Sequence, residues 1–430
     1  MLPRLHALET FGIKLGLANI TALCEALGHP ERAFTSLHIA GTNGKGSATA
    51  MAHAALVAAG VRAARYTSPH LVHLNERFVI GDSPVNDTDL ESAATHVLDV
   101  SDRLVGEGIL SGPPTFFEAT TAIAFELFER AGVEVAVLEV GLGGRFDATN
   151  VVTPVAAAIT SIGFDHQAQL GHTLASIAYE KAGVVKPRTP VVIGDLPAEA
   201  EDVVRRVSAE QHAQIVRSRD GATVTADMLD GRATLRLRTP AHDYGAIALA
   251  LRGEHQVDNA LVAVRLLELA RERGVPVTFD AIARGLERAK WPARLERLTV
   301  GAGRSVLLDA AHNPDGAAAL ARYLVRWHPE RPPLVLAVMR DKDVTGVLQA
   351  LLPVTGLVIV TAPPTARAET PEVLADRVRA LDPSRDVLIE PDPAAAVARA
   401  LAGAPLVCVA GSIFLAGAVR EALGGRAILP

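Results

Sequence analysis

The chain has 430 residues, of which 49% are hydrophobic and 21% charged, and a net charge of −6. This length exceeds what one ordinary core accommodates and predicts two domains, while the lack of a basic block argues against nucleic-acid binding. The two cysteines, Cys24 and Cys408, argue against a disulfide framework and against cysteine-bound zinc. No apolar run has the length of a membrane span and no signal-peptide pattern is present, so we expect a cytoplasmic protein without membrane contact.

Short β-branched runs alternate with helical patterns in the first half of the chain, which is typical of an α/β sheet. Between predicted strands at 36–40, 61–66, 133–140, 155–161 and 190–194 lie predicted helices at 47–59, 87–105, 116–131 and 173–185. Residues 213–251 differ, because their short alternating runs are broken by the turn signals Asp220-Gly221 and Asp230-Gly231. We therefore predict a small antiparallel section there.

Two further helices are predicted at 258–273 and 279–289, after which Trp291-Pro292-Ala293-Arg294 interrupts the pattern. Strands separated by helices recur at 305–309, 334–338, 357–360, 387–390 and 406–410, without a dinucleotide-binding glycine fingerprint after the first. The predicted fold is α/β, with two domains. Residues 1–294 form a large P-loop-type ATPase domain with a mostly parallel sheet and the small antiparallel section, and residues 295–430 form a smaller Rossmann-like C-terminal domain.

The most informative segment runs from His38 to Ser47, where a predicted strand enters a glycine-rich loop followed by an Ala-rich helix. Glycines let backbone amides approach a polyphosphate, and the helix N-terminus adds partial positive charge. Lys45 can reach the outer phosphates and the Ser47 hydroxyl can bind magnesium. A strict P-loop would have glycine at Ile39 and a hydroxyl residue at Gly46, so this is a shortened relative. It predicts nucleotide binding and leaves the reaction open.

Polar residues lie at or just after the ends of three other predicted strands of the first domain, at the edge where an α/β sheet holds a metal–nucleotide complex. They are Ser68, Glu139 and Asp165-His166. Ser68, Glu139 and phosphate oxygens form a suitable shell for Mg²⁺, which prefers oxygen, whereas His166 is a less usual ligand. The alternatives are a carboxylate that caps the next loop and a histidine that only packs.

In the second domain, Asp309, His312 and Asn313 follow the first predicted strand. If they face an interdomain cleft, they would contact the nucleotide or the incoming substrate. The alternative for Asp309 is an N-terminal cap of the helix after Pro314. Arg294, at the predicted junction, can reach the phosphates from the other side, and its alternative is a surface salt bridge.

With these residues in place, the sequence resembles the folylpolyglutamate synthase/dihydrofolate synthase family of the Mur-ligase superfamily, which are ATP-dependent amide-forming ligases. The matching segments are 15–17, 38–47, 66–71, 138–150, 180–183, 253–256 with Asn259, 309–314 and 411–412, so they span nearly the whole chain. Gly-Thr-Asn-Gly-Lys-Gly-Ser together with Ser-Pro-His-Leu is specific to the folate branch. The chain departs from the family at Ala293, where glycine is common, and we expect the role of the following arginine to be intact.

The resemblance implies roles for the matching residues. The nucleotide-binding set is Gly41, Thr42, Asn43, Gly44, Lys45, Gly46, Ser47, Asn259, Arg294 and Asp309, and the magnesium ligands are Ser68, Glu139 and His166. The resemblance also implies that Lys181 is carboxylated by CO₂, because a carbamate is an oxygen ligand whereas a cation repels a free ammonium. The alternative for Lys181 is an ordinary helix-surface lysine. A monovalent cation is a further candidate cofactor.

Four residues form the predicted catalytic set: Lys45, Lys181, His312 and Asp309. His312, oriented by Asp309, would contact the transferred phosphoryl group or steer glutamate. The implied pteroate-binding set is Gly16, Leu17, Thr115, Phe116, Phe117, Glu118, Phe146, Asp147 and Ala148. Aromatic faces suit a flat pterin ring and an acid can pair with its N–H groups, although core packing is the alternative for Phe116 and Phe117.

The resulting hypothesis is a monomeric ligase that uses ATP and Mg²⁺ to add L-glutamate to dihydropteroate and to tetrahydrofolates through an acyl phosphate. One rival is a Mur-type ligase acting on a UDP-muramoyl acid. The other is a P-loop regulatory nucleotide binder, although the chain lacks the Asn-Lys-x-Asp guanine signature. The glutamate pocket stays undefined, beyond the expectation that the second domain supplies it.

Overall fold

The computed structural model describes residues 2–12, 14–301 and 303–424, and its strands form three sheets. The fold is α/β, as predicted. The first sheet contains β1 (Thr35–Ala40), β2 (Ala63–Tyr66), β3 (Phe78–Ile80), β4 (Ser83–Pro84), β5 (Val135–Glu139), β6 (Ala156–Ile159), β7 (Val191–Ile193) and β8 (Ile215–Arg217). The helices of the same part of the chain are α1 (Leu2–Ala7), α2 (Ala18–Ala26), α3 (Lys45–Ala58), α4 (Asp87–Gly106), α5 (Phe116–Arg130), α6 (Gln167–Leu170), α7 (Leu174–Ala182), α8 (Ala198–Glu210), α9 (His255–Glu272) and α10 (Phe279–Arg288).

β1 lies inside the first sheet, whose strand order is β4-β3-β2-β5-β1-β6-β7-β8. It runs parallel to its neighbours β5 and β6, and β2 runs parallel to β5. Because the carboxyl ends of parallel strands meet at one edge, the segments that follow β1, β2, β5 and β6 converge there. β3 and β4 extend the sheet with antiparallel pairs that the sequence analysis did not predict.

The antiparallel section is smaller than predicted. β9 (Thr223–Leu229), β10 (Arg232–Arg238) and β11 (Asp243–Arg252) form an antiparallel sheet as expected. The start of the predicted section is different, because β8 pairs in parallel with β7 and belongs to the first sheet. The helix α8 makes the crossover between these two strands, and the sequence analysis had not predicted it.

α3 begins directly after the glycine-rich loop. Its alanines are small, so the helix packs closely against the first sheet and against α10. Ala48, Ala52 and Ala55 are fully buried in the core cluster that covers one face of the first sheet. α10 contacts α3 at Gly285, which has no side chain. A Cβ on Gly285 would lie only 2.6 Å from the Cβ of Ala55, so the two helices could not pack this closely with a larger residue there. Small residues thus fix the position of the helix that starts at Lys45.

The C-terminal domain has its own sheet, formed by β12 (Glu296–Thr299), β13 (Ser305–Leu308), β14 (Leu334–Leu336), β15 (Val358–Val360), β16 (Val387–Ile389) and β17 (Leu406–Ala410). Its order is β12-β13-β17-β14-β15-β16, and all neighbours are parallel except the unpredicted edge strand β12. The helices are α11 (Pro314–Trp327), α12 (Val344–Leu351), α13 (Pro371–Leu381), α14 (Pro393–Gly403) and α15 (Ile413–Ala422). The predicted alternation of strands and helices in this domain is confirmed.

None of the helices in the described ranges combines the length and the apolar character that crossing a bilayer requires.

α15 makes a close contact between the two halves of the molecule at Gly417. A Cβ on Gly417 would overlap the carbonyl oxygen of Leu71, in the loop after β2, and would lie 2.9 Å from its carbonyl carbon. Because the obstacle is backbone, it cannot give way as a flexible side chain would. Glycine therefore allows the C-terminal domain to approach this loop.

We expect Gly417→Ala to destabilise the protein by roughly 1–3 kcal/mol, because the added methyl overpacks this contact. Chemical denaturation followed by circular dichroism measures the free energy of unfolding. Gly403→Ala is the matched control, since Gly403 is also helical and a Cβ there would meet nothing within 4 Å. Equal stability of the two variants would show that the contact at Leu71 tolerates a side chain.

Candidate active site

Residues 41–44, between β1 and α3, are called the phosphate-binding loop here after the role predicted for them. Gly44 immediately precedes α3 with a φ of +85°, which favours glycine, and a Cβ there would lie 3.1 Å from Cγ of Asn259 in α9. The hydroxyls of Thr160 and Ser161, at the end of β6, donate to the Asn43 carbonyl at 2.6 and 3.0 Å. The loop is thus held by its neighbouring strand and approached by α9.

Two lysines converge on the loop carbonyl of Gly41. Lys45 Nζ donates to it at 3.0 Å and to the Thr42 carbonyl at 3.2 Å, and Lys181 Nζ donates to it at 2.9 Å. Lys181 is buried, so it is not an ordinary surface lysine. Burial, and secondly the charge of Lys45, lower the pKa of Lys181 to about 7. Burial also lowers the pKa of Lys45. Near neutral pH, Lys181 therefore has a substantial fraction of the neutral, nucleophilic amine.

Glu139 ends β5 beside this loop, with its carboxylate buried. One carboxylate oxygen accepts a hydrogen bond from the Ser68 N–H at 3.3 Å, and burial raises the pKa of Glu139. Within residues 2–12, 14–301 and 303–424, no three His, Cys, Asp or Glu side chains gather as a metal site. A cation here would take one or two protein oxygens, with the remainder from phosphates or water. That donor set suits Mg²⁺.

Asp165 and His166 follow β6 and contact Lys342 of the C-terminal domain. Lys342 Nζ lies 2.6 Å from Asp165 Oδ1 and donates to His166 Nε2 at 3.0 Å, and its side chain is only 6% exposed. Burial and the Lys342 ammonium lower the pKa of His166 to about 4, so its imidazole is neutral at neutral pH. Burial alone would raise the pKa of Asp165, but the neighbouring His312 and His166 side chains and the Lys342 ammonium hold it well below its usual range.

His312 and Asn313 complete this cluster from the C-terminal domain. His312 Nδ1 donates to the Ala310 carbonyl at 2.9 Å, and its Nε2 lies 3.5 Å from Asp165 Oδ2. The amides of Asn313 and Asn43 bond reciprocally, at 3.0 Å from Asn313 Nδ2 and 3.3 Å from Asn43 Nδ2. The phosphate-binding loop is therefore tied directly to the C-terminal domain.

Asp309 does not cap α11, because Asn313 accepts the hydrogen bond at that helix N-terminus. The buried Asp309 carboxylate instead accepts from the N–H groups of Leu295 and Ala311, both at 2.8 Å. Burial raises the pKa of Asp309, and the charge of nearby Arg294 partly offsets this effect. Asp309 thus fixes the backbone on the C-terminal side of Arg294.

The predicted pteroate-binding residues lie around the start of α5 and the loop after β5. Thr115 and Glu118 form a capping box, with Thr115 N–H donating to Glu118 Oε2 at 2.7 Å and Glu118 N–H to Thr115 Oγ1 at 3.1 Å. Phe117 packs under the loop, since a Cβ on Gly141 would lie 2.8 Å from its ring Cε2. Phe146 is 37% exposed, with the Arg145 guanidinium 4.2 Å from its ring centroid.

The Asp147 carboxylate is directed to its own loop. It accepts from the N–H groups of Leu142 at 2.8 Å and Thr149 at 3.0 Å, and from the Thr149 hydroxyl at 2.5 Å. Burial raises the pKa of Asp147, and these hydrogen bonds counteract that effect. Asp147 therefore shapes the loop that faces the predicted pterin pocket.

One cavity of about 1650 Å³ is lined by residues from each of these clusters. Every residue of the nucleotide, magnesium, catalytic and pteroate sets lines it except Leu17, which packs against a hydrophobic core cluster. The individual roles stay predictions. The cavity is large enough to hold a nucleotide and a second substrate together.

Among the cavity-lining cations that were not predicted from the sequence, three follow α11 in the C-terminal domain. They are Arg340, Lys342 and Arg367. Arg340 and Lys342 come shortly after β14 ends, so the strand-end rule applied to the first domain would have found them. Arg367 lies in the irregular segment between β15 and α13, where the sequence has no comparable signal.

Comparison with protein families gives two matches that together cover most of the chain. Residues 39–267 match the Mur ligase middle domain, and residues 293–413 match the Mur ligase glutamate ligase domain. The first match contains the phosphate-binding loop, Glu139, Lys181 and Asn259. The second contains Arg294 and Asp309. The chain is therefore built as an ATP-dependent ligase of this type.

Individual relatives narrow the assignment. The chain is 37% identical to the dihydrofolate synthase/folylpolyglutamate synthase of Mycobacterium tuberculosis, over 95% of this chain and 90% of the relative. A crystal structure of the M. tuberculosis folylpolyglutamate synthase complexed with ADP and AMPPCP superposes with a TM-score of 0.91 at 35% identity, over 98% of both chains. E. coli FolC in complex with DHPP and ADP superposes with a TM-score of 0.85 at 28% identity, over 99% of this chain and 98% of that one. The chain therefore belongs to the folylpolyglutamate synthase/dihydrofolate synthase branch of the Mur ligase family.

Proposed function

We propose that the protein adds L-glutamate to dihydropteroate, and then to folates through γ-linked amides, at the expense of ATP. The observation that carries this proposal is the single cavity in which the phosphate-binding loop faces Arg294, His312 and Lys342. Relatives named for both activities, and solved relatives bound to ADP, AMPPCP and DHPP, support it.

The reaction requires an activated acid. A carboxylate oxygen of the pterin substrate attacks the γ-phosphorus, the bond to the ADP oxygen breaks, and an acyl phosphate forms. The amine of glutamate then attacks the acyl carbon, so that the amide forms while inorganic phosphate and a proton leave. Lys45 would stabilise the negative charge that develops on the phosphates, and Arg294 would do so from the opposite wall.

The acyl phosphate must be kept from water, which competes with glutamate. The Asn43–Asn313 amide pair and the Lys342–Asp165 ion pair hold the two walls of the cavity together. His312 lies beside Asp165 at this junction, where it can contact the transferred phosphoryl group. Closure of the two domains would therefore position the substrates and exclude water from the acyl phosphate.

Magnesium fits the oxygen-rich edge of the site. Glu139 and Ser68 would hold the ion, together with phosphate oxygens and water, and His166 could join them only by giving up its hydrogen bond from Lys342. When bound, Mg²⁺ neutralises phosphate charge during transfer. A monovalent cation is part of the same proposal, without an assigned set of residues.

Lys181 is proposed to carry a carbamate. Two ammonium groups on the Gly41 carbonyl repel each other, which favours the neutral form of one of them. Lys181, whose pKa is lowered to about 7, is the amine that can react with CO₂. A carbamate there would give the loop a negative oxygen ligand beside Lys45.

We expect carbamate formation at Lys181 to increase as the pH rises from about 6 to 8 at fixed CO₂ pressure. Below the pKa of about 7 the amine is mostly protonated and unreactive, and above that pH it is mostly neutral. Carbon-13 NMR of protein equilibrated with ¹³CO₂ measures the carbamate signal. Lys181→Arg should abolish the signal, whereas Lys290→Arg, at an exposed lysine, should retain it. A signal that survives Lys181→Arg would contradict the assignment.

The C-terminal domain would receive glutamate, which is a dicarboxylate before it reacts. Arg340, Lys342 and Arg367 line that side of the cavity. We place the boundary between the ATPase domain and this domain between residues 294 and 295, within the linker that leads into β12. Because both walls of the cavity come from one chain, we further propose that the protein acts as a monomer. We also propose that it acts in the cytoplasm.

The test is purified protein with ATP, Mg²⁺, L-glutamate and either dihydropteroate or tetrahydrofolate. Phosphate release that requires both glutamate and the pterin, with a product heavier by one glutamate residue, is the expected result. No phosphate release with either pterin would reject the substrate class. Release with a UDP-muramoyl acid instead would favour the Mur-type rival, and slow hydrolysis indifferent to glutamate would favour a regulatory nucleotide binder.

A further inference from the structure

The linker between α10 and β12 contacts the phosphate-binding segment through Trp291. The contact is at Gly46, in the first turn of α3, where a Cβ would lie 2.6 Å from Cε2 and 2.7 Å from Nε1 of the indole. Trp291 also lines the cavity. The indole therefore occupies the space that a side chain at position 46 would need.

This contact explains why the loop departs from the strict P-loop pattern. Gly46 lies in a right-handed helix and has no positive φ, so its backbone conformation does not require glycine. A serine or threonine after Lys45, as in a strict P-loop, would collide with Trp291. Position 46 therefore lacks a hydroxyl residue because the indole of Trp291 occupies the space that its side chain would need.

Trp291 also contacts Arg65 of β2. The guanidinium carbon of Arg65 lies 5.4 Å from the centroid of the indole ring, within the range of a cation–π contact. In the described part of the chain, Trp291 Nε1 is buried without a hydrogen-bond partner. Packing between Gly46 and Arg65, and not a hydrogen bond, therefore determines where the indole lies.

Beyond Trp291 the linker is held to the C-terminal domain in an unusual conformation. Ala293 and Leu295 have φ values of +54° and +49°, which side-chain-bearing residues rarely adopt. The Ala310 N–H donates to the Ala293 carbonyl at 2.9 Å, and the Leu295 N–H donates to Asp309. Arg294 lies between these two fixed residues. Such conformations persist only where the surroundings hold them firmly.

We propose that Trp291 is a positioning residue that couples the phosphate-binding loop to the linker that carries Arg294. The indole fixes the first turn of α3 relative to the linker, so the loop and Arg294 reach the phosphates in register. The coupling rests on the proposed function, because it assumes that ATP binds at this loop. It adds a physical link between the loop and the segment at which the two domains join.

The experiment compares Gly46→Ala, Trp291→Leu and the double variant, using AMPPNP affinity by calorimetry and the KM values for ATP and glutamate. Gly46→Ala should weaken AMPPNP binding at least about tenfold, because its methyl displaces the indole from α3. Trp291→Leu should raise the KM for ATP several-fold and leave the KM for glutamate within about twofold, since Arg340, Lys342 and Arg367, proposed for glutamate, belong to other segments of the chain. Trp291→Leu added to Gly46→Ala should restore part of the lost affinity.

Trp327→Leu, at the chain's second tryptophan, is the matched control and should leave AMPPNP affinity unchanged. Trp291 fluorescence in a Trp327→Phe background should change on AMPPNP binding, which provides a readout even if Gly46→Ala folds poorly. The proposal is overturned if Gly46→Ala binds AMPPNP as the wild type does, if the double variant is no better than Gly46→Ala, or if Trp291 fluorescence does not respond. Wild-type protein that fails to bind AMPPNP would instead refute the proposed function.

Discussion

Replacing Lys45 with alanine should lower the rate of glutamate ligation by roughly a thousandfold, because a preorganised cation no longer faces the phosphates. Lys45 lies in the first turn of α3 and donates to two carbonyls of the phosphate-binding loop. The substitution also removes the charge that helps to lower the pKa of Lys181, so that pKa should move upward toward its ordinary value. Steady-state kinetics with dihydropteroate measures the first effect, and the pH dependence of the ¹³C carbamate signal measures the second.

The control is Lys290→Ala, which removes an exposed lysine and should leave the rate unchanged. Melting temperatures of both variants should stay close to that of the wild type, because Lys45 contributes two hydrogen bonds to a loop that Thr160 and Ser161 also hold. A Lys45→Ala rate within tenfold of the wild-type rate would refute the assigned role of this lysine in phosphoryl transfer.

Asp309→Ala should destabilise the protein by roughly 2–4 kcal/mol and also abolish most ligation, because two buried N–H groups lose their acceptor. The Leu295 and Ala311 N–H groups both donate to this carboxylate at 2.8 Å. Without it, the linker around Arg294 is no longer fixed in its left-handed conformation. Urea denaturation measures the free energy of unfolding, and kcat/KM for ATP measures the displacement of Arg294.

Asp392→Ala separates this effect from the loss of an ordinary helix cap. Asp392 caps α14 in the same domain, is exposed, and accepts one hydrogen bond from the Ala395 N–H at 2.7 Å. Its loss should cost about 1 kcal/mol with unchanged activity. Asp309→Asn keeps one acceptor oxygen, so its loss of unfolding free energy should lie between those of Asp309→Ala and Asp392→Ala. Equal costs for Asp309→Ala and Asp392→Ala would show that Asp309 has no special structural role.

The first sheet's functional edge could be predicted from the sequence because the rule behind it is local. A buried strand followed by a polar residue places that residue at the carboxyl edge, and this was enough for Ser68 and Glu139. The prediction failed for β8, which was assigned to the antiparallel section. Its three residues are too few to distinguish a parallel strand from part of a hairpin. Its partner β7 lies beyond α8, and a parallel crossover of this kind is fixed by packing, which no short window contains.

Asp309 and Lys342 show where long-range contacts decide. Asp309 and Asn313 are both suitable helix caps by residue type, but Asp309 accepts a hydrogen bond from Leu295 of the linker instead. Lys342 meets Asp165 across 177 positions of sequence, a pairing that depends on how the two domains face each other. The position of a residue at a strand end can be read locally, whereas its partner on the other domain cannot.

The buried contact between Lys342 and Asp165 has a consequence for inhibitor design. Because the ammonium group already has a carboxylate partner, a compound that recruits Lys342 must displace an ion pair and cannot simply fill empty space. A neutral mimic of the substrate has no negative charge with which to replace the Asp165 carboxylate. Selective inhibitors aimed at this corner of the cavity should therefore carry a phosphonate, a carboxylate or another anionic group.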